Sequence, residues 1–212
     1  MARPRSATYD DQREQILAAA AQLFATRGYT AATMNEVAAA CGVSKPTLYH
    51  YVRDKHDLLA QISAGHVARL EALVAEVGAA GLAPEARLRE LIRRFMLAYA
   101  SAEHEHRVLT EDVKFLAAPE REAVLAAQRR VVHAFAATVA ALRPELAAAG
   151  LDTALAMLLF GMINWTFTWL KAGGALTHET LAPVVIDLFL GGLGAVVAQP
   201  RAATKSRTAA IT

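Results

Sequence analysis

The chain has 212 residues and a formal net charge of +2 at pH 7, enough length for a small domain and a larger one but too little charge to settle by itself whether nucleic acid is a partner. Its single cysteine, Cys41, excludes an internal disulfide and fits a reducing cytoplasm, and the opening MARPRSATYDD lacks the apolar segment of a secretory signal. Hydrophobic residues make up 55%, alanine is heavily used and apolar runs keep a helical period, so the expected fold class is all-α.

Arg3 and Arg5 precede the first helix; that arm reads either as chain lying on a phosphate backbone or in a minor groove, or as a solvated tail. A helix is expected from Asp10 or Asp11 to about Thr26, with Ile16, Leu17, Ala20, Leu23 and Phe24 on one stripe, Gly28 at its end and Tyr29 in the same small core. Thr33 with Glu36 three residues later is a capping box, which opens a short helix burying Val37 and the run Ala38, Ala39, Ala40. Gly42 can take the positive φ that ends it, with Cys41 a small packing residue beside it. Ser44 caps the next helix, and Pro46 is harmless in a first turn whose N–H groups have no helical partner. Two short helices around a glycine turn make a helix-turn-helix. Leu48, Tyr51 and Val52 form its inner side, leaving Lys45, Thr47, Tyr49 and His50 outward as hydrogen-bonding groups suited to a major groove. Residues 1–57 carry seven Lys or Arg against six Asp or Glu, so position matters more than total charge: Lys45, Arg53 and Lys55 cluster about the second motif helix.

This stretch resembles the DNA-binding domain of the tetracycline-repressor-like (TetR) family of transcriptional regulators. The likeness runs through Ile16-Leu17-Ala18-Ala19-Ala20, Leu23-Phe24, Arg27-Gly28-Tyr29, Thr33, Glu36-Val37-Ala38, Gly42-Val43-Ser44, Thr47-Leu48-Tyr49, Tyr51-Val52, Lys55 and Leu58-Leu59. It implies DNA contacts from Thr33, Ser44, Lys45, Thr47, Tyr49, His50 and Lys55, with Thr33 and Lys55 on phosphates.

Asp54 can cap a long helix carrying Leu58, Leu59, Ile62, Leu70, Leu73, Val74 and Val77, stopped by Gly78 and Gly81, which links the reading domain to the rest. Beyond a linker from Gly78 to Pro84 come a stripe of Leu88, Leu91, Ile92, Phe95 and Tyr99, a charged, solvated break from Ser101 to Arg107, and a short apolar piece from Val108 to Leu116. Pro119 starts a helix with Val124, Leu125, Val131, Val132, Phe135, Val139 and Leu142 on a wide face, ending near Pro144. Thr153 to Leu170 has no charge over eighteen residues, the length at which a membrane span must be weighed. Its Thr153, Asn164, Thr166 and Thr168, the Asp187 in the following apolar stretch and the absence of a clean aromatic or basic belt favour a helix buried by its own core and a partner subunit, with no membrane. Gly191, Gly192 and Gly194 would let helices of two chains approach closely, while Pro183 implies a kink or a later start for the last helix. The expected domains are 1–57 for DNA binding, 58–198 for ligand binding and dimerisation, and 199–212 as a disordered tail.

No catalytic set, phosphate loop or paired cysteine ligands is present, so no enzyme and no cofactor is expected. His104 and His106, two apart beside Glu103 and Glu105, would face different sides of a helix, which argues against a metal site. A second domain this large argues for a small-molecule pocket. The resemblance implies a homodimer through the last two helices and a ligand that shifts the helix leaving the DNA domain. Phe160 to Trp169, Gly173-Gly174 and Asp187-Leu188-Phe189-Leu190 are similar to the subgroup that senses acyl-coenzyme A thioesters, although Leu170 and Lys171 stand where that group often has another aromatic. On that likeness Trp165 and Trp169, with Phe95, Tyr99 and Phe115, line the ligand site; packing in the core or dimer is the competing reading of both tryptophans. The expected function is a dimeric repressor of acyl-CoA catabolism genes, released from operator DNA by an acyl-CoA. The alternatives are a repressor of an efflux pump answering a lipophilic drug, and a helical ligand- or metal-binding protein without regulatory DNA binding.

Overall fold

The computed structural model describes residues 7–171 and 173–198, and among them every regular element is helical. The order is α1 (Ala7–Arg27), α2 (Met34–Ala40), α3 (Lys45–Tyr49), α4 (Lys55–Ala79), α5 (Pro84–Ser101), α6 (Glu103–Glu111), a 3-10 turn (Val113–Phe115), α7 (Ala118–Leu142), α8 (Pro144–Ala148), α9 (Asp152–Asn164), α10 (Thr166–Trp169) and α11 (His178–Ala195). The Arg3 and Arg5 arm and the tail from 199 lie outside the described residues.

The helix ends follow from their caps. Thr33 Oγ1 accepts the Glu36 N–H at 3.3 Å while Glu36 Oε2 accepts the Thr33 N–H at 2.8 Å. Ser44 Oγ accepts the Thr47 N–H at 3.2 Å and Asp54 Oδ1 the Asp57 N–H at 2.8 Å. Gly42 has φ +64 between α2 and α3, a left-handed conformation that a Cβ would strain.

Several boundaries differ from expectation for identifiable reasons. Helix α1 begins earlier, at Ala7, and its first turns carry Tyr9 onto Tyr51, the rings stacked at 4.7 Å. Ala39 and Ala40 face solvent, so α2 buries only Val37 and Ala38. Gly78 lies inside α4, and Gly81, with φ +65, closes the turn instead. The supposed break from Ser101 to Arg107 is mostly helix, interrupted only at Ala102; Glu103, Glu105 and Arg107 form the wetter side of α6, whose inner side holds His106 and Leu109. Pro183 sits within α11, which starts from its Thr177 cap without delay; the ring is on the exposed side and leaves the buried stripe intact. The long uncharged stretch is broken at Trp165 into α9 and α10, and among the described residues no helix is long and apolar enough to cross a membrane.

Two apolar cores result. The first joins Ile16, Phe24, Tyr29, Val37 and Leu48 to Leu58, Leu59 and Ile62 of α4, and continues into Val108 and Leu109 of α6 and Val124 of α7. The second packs Leu70 and Val77 of α4 with α5, α7, α9 and α11 around Phe95, Phe135 and Phe160. Helix α4 belongs to both, and α1 rests on α6. Gly42→Ala should therefore fold but lose about 1 kcal/mol through left-handed strain alone, since nothing crowds the new Cβ; an unchanged urea midpoint would contradict this.

Candidate DNA-reading helix and ligand cavity

Helix α3 is five residues long and is held from beneath by the fully buried Leu48 and the nearly buried Val52. Lys45, Tyr49 and His50 project outward, Tyr49 with 44% of its surface exposed. Thr47 is half-buried, and its hydroxyl lies 2.7 Å from Ser44 Oγ, so part of its hydrogen-bonding capacity completes the cap. Thr33 is exposed at the start of α2 and Ser44 at the start of α3, each with its side chain engaged at a helix terminus.

Lys55 is placed differently from the others. Its Nζ donates to the carbonyl oxygens of Thr30 at 3.1 Å and Ala32 at 2.8 Å and stands 4.5 Å from the centre of the Tyr29 ring, which ties the loop before α2 to the start of α4. Tyr29 also lies with its hydroxyl 3.0 Å from His56 Nδ1 and stacks on Phe115 with centroids 5.3 Å apart. Burial is the main cause that raises the Tyr29 pKa, followed by the charges of Asp54 and Asp112.

A cavity of about 520 Å³ opens between α4, α5, α6, α7 and α9. Val67, Leu70, Leu109, Val131 and Phe160 give it apolar walls, while Arg129, His133, Thr153 and Met157 are at its exposed side. Of the five aromatic residues expected around a ligand, Tyr99 borders this space. Phe95 is buried in the second core against Phe135 and Phe160, and Phe115 lies in the joint with Tyr29. Trp165 and Trp169 are on the outer surface, 53% and 52% exposed. Periodicity marks an aromatic as belonging to a helical face, but not which neighbour that face meets.

What the sequence reading missed is a polar chain at the inner end of the cavity. Tyr99 donates its hydroxyl to Asn164 Oδ1 at 2.9 Å and stacks on the His106 ring at 3.7 Å between centroids. His106 Nε2 is 3.3 Å from the Asn164 carbonyl oxygen, so this nitrogen carries the hydrogen; Nδ1 then faces His66 Nε2 at 3.4 Å as acceptor. The remaining His66 nitrogen, Nδ1, is buried without a partner among the described residues. Spacing did offer a signal, because Ala102, His106 and Leu109 recur at intervals of four and three, as on one helical face. Among the described residues no three His, Cys, Asp or Glu side chains converge to hold a metal ion.

The capped motif and the helical bundle behind it define a class: a helix-turn-helix transcriptional regulator with a separate helical C-terminal domain. The family of bacterial regulatory proteins called tetR matches residues 16–62, and the tetracyclin repressor-like C-terminal domain matches residues 81–193. The chain belongs to the tetR family. It is 28% identical over 185 residues to the HTH-type transcriptional repressor KstR2 of Rhodococcus jostii (strain RHA1), covering 86% of this chain and 91% of that protein. A TetR-family transcriptional regulator from Bordetella parapertussis 12822 superposes with a TM-score of 0.82 at 33% identity, covering 90% of this chain and 100% of that one. AibR, solved in complex with isovaleryl coenzyme A and operator DNA, gives a TM-score of 0.71 at 27% identity over 84% of this chain and 97% of its own.

Burial holds both imidazoles neutral, lowering His66 from 6.5 to about 3, with His106 and Arg69 adding to the effect, and His106 from 6.5 to about 4. Each is depressed in the folded state, so the unfolded chain binds more protons below pH 6.5: the stability they contribute is complete above that pH and is lost as pH falls toward 4 and then 3. Urea unfolding should show a loss on the order of 4 kcal/mol between pH 7 and pH 5, about half of it from each imidazole. His66→Gln should flatten that slope whatever it does to stability at pH 7.

Proposed function

We propose that this chain is a homodimeric transcriptional repressor whose reading helices bind a pseudo-palindromic operator and are released by a small, largely apolar effector, with an acyl-coenzyme A thioester the best-matched class. The observation that carries this reading is the cavity's placement. Val67 and Leu70 of α4 and Leu109 of α6 form part of its wall, and other side chains of both helices enter the core of the reading domain, as does Val124 of α7. A ligand that moves either helix shifts the support of α3. Two reading helices must sit about 34 to 36 Å apart to enter successive major grooves, so a small tilt costs binding. A differential affinity of about 1–3 kcal/mol between the two states is sufficient for regulation.

Residues 1–57 form the DNA-reading unit and 58–198 the ligand and dimer unit in this proposal. Lys45, Tyr49 and His50 approach the bases, and Thr33, Ser44 and Thr47 approach the backbone with what their caps leave free. Lys55 contributes its charge near a phosphate while holding the Thr30 to Ala32 loop. The dimer forms through α9 and α11, where Met157, Leu158, Met162, Val184 and Leu188 are exposed apolar side chains and Gly191, Gly192 and Gly194 present no side chain. Trp165 and Trp169 belong to this surface. The acyl-CoA class draws support from the isovaleryl coenzyme A held by AibR, and the repressor role from the likeness to the transcriptional repressor KstR2.

Fluorescence anisotropy with DNA from upstream of the gene should show specific binding that falls on adding acyl-CoA thioesters of two to ten carbons; DNA binding unaffected by every one of them would refute the effector class. Tyr49→Ala should lower operator affinity by on the order of 1–3 kcal/mol with the dimer intact. Leu188→Glu should instead yield monomers in light scattering and weaken operator binding at least about tenfold, because a charge on an apolar face meets its own copy across a twofold axis.

A further inference from the structure

We infer that Tyr9, in the first turn of α1, is a positioning residue for DNA reading: its ring stacks on Tyr51 and sets the C-terminal end of α3, from which Tyr49 and His50 reach outward. The inference rests on α3 being the reading helix and goes further, to what aims it.

Helix α3 is supported unevenly. Its start is held by the Ser44 cap and its inner side by Leu48, both parts of the motif itself. Tyr49 and His50 lie at the other end, where a helix runs out of internal partners and its last carbonyl groups need outside support. Tyr51, the next residue, is half-buried against the first core. Tyr9 closes over it, with ring centroids 4.7 Å apart, planes 26° apart and the Tyr9 hydroxyl 3.5 Å from the His50 carbonyl oxygen.

Tyr9 is carried on a stiff support. Tyr9, Arg13, Ile16 and Ala20 follow one another at spacings of four, three and four along α1 and so share one face. Ile16 and Ala20 are fully buried in the first core, and Arg13 donates through Nη2 to Gln61 Oε1 of α4. The Tyr9 ring thus extends that face beyond the core, from a helix fastened to α4. It ties the reading end of α3 to the same helix that lines the cavity.

The setting disfavours a phosphate contact by Tyr9. Asp10 and Asp11 are exposed beside it, and their charges repel a nucleic-acid backbone. The stack, and not the hydroxyl, carries the constraint, because 3.5 Å is beyond the usual range of an O–H···O bond. Cover for an apolar ring needs only area, whereas two stacked rings fix each other's separation and tilt. Held in this way, Tyr51 restricts the backbone of His50 and Tyr49 just before it. Phosphate contacts give affinity for any duplex, and base contacts give preference for one. A ring that aims α3 acts on the preference.

The test uses the full-length dimer, an operator selected by the wild type from a random DNA pool, and a scrambled duplex of equal length. Tyr9→Ala should weaken operator binding at least about fivefold while binding to the scrambled duplex stays within about twofold and the salt dependence is unchanged. Tyr9→Phe, which keeps the ring, should match the wild type. Tyr9→Leu, which keeps apolar cover without a ring, should lose operator affinity as the alanine variant does, so the answer does not hang on the folding of one variant. A purely structural role for Tyr9 would lower the urea midpoint of Tyr9→Ala and leave operator affinity unchanged, because the folded fraction stays nearly complete; that result overturns the inference. So does equal weakening on both duplexes with a shallower salt slope, which would make Tyr9 a phosphate contact. Failure of Tyr9→Phe to match the wild type, or a Tyr9→Leu variant that does match it, overturns it as well. A wild type for which no preferred duplex can be selected defeats the DNA-reading function itself. A wild type that discriminates, with Tyr9→Ala discriminating equally, defeats only the role assigned to Tyr9.

Discussion

Everything this regulator can transmit depends on α4 having its apolar side divided between two cores. Leu58, Leu59 and Ile62 are locked among the helices that hold α3, while Leu70 and Val77 are locked among α5, α7 and α11. Close-packed interiors pass strain on because they have no slack volume in which to absorb it. A displacement at Leu70 is therefore felt at Leu58, less than four helical turns away along the same rod. Helix α6 provides a parallel route through Val108 and Leu109, and the Tyr29–Phe115 stack a third at the surface of the joint.

The second notable expense is polar. Placing Tyr99, His66 and His106 among Phe95, Val67 and Leu109 removes their water, and the protein compensates by pairing them along one chain of hydrogen bonds. That chain ends on His66 Nδ1, which, like Ser63 Oγ one turn back on α4, has no partner among the described residues. Unpaired polar groups in a dry interior are unfavourable, and here they fall on the helix that joins the two cores. The polar chain thus links the inner end of the cavity to α4 by directional bonds, where apolar packing alone would permit sliding.

Local signals were legible and neighbours were not. Thr33 with Glu36, Ser44 with Pro46, Asp54 and Gly42 each state a backbone requirement within four residues, and each reappears as a cap or a left-handed turn. The resemblance around Thr47-Leu48-Tyr49 extended this to a family. By contrast Phe95, Phe115, Trp165 and Trp169 looked alike in sequence, all large and apolar on helical stripes, yet they lie in a core, a joint and an outer surface respectively. Only tertiary packing distinguishes these fates. His106 was hidden for the opposite reason: the charges of Glu103, Glu105 and Arg107 suggested solvent, although a helix can be wet on one side and dry on the other.

Helix α3 spans five residues, well short of the length at which an isolated helix persists in water. Its shape is borrowed from Leu48 and Val52 beneath it and from the Ser44 cap before it. Any loosening of the first core therefore dissolves this helix, because its own five residues cannot hold it. The stability of the reading surface is then the stability of the core beneath it, whatever the rest of the bundle does.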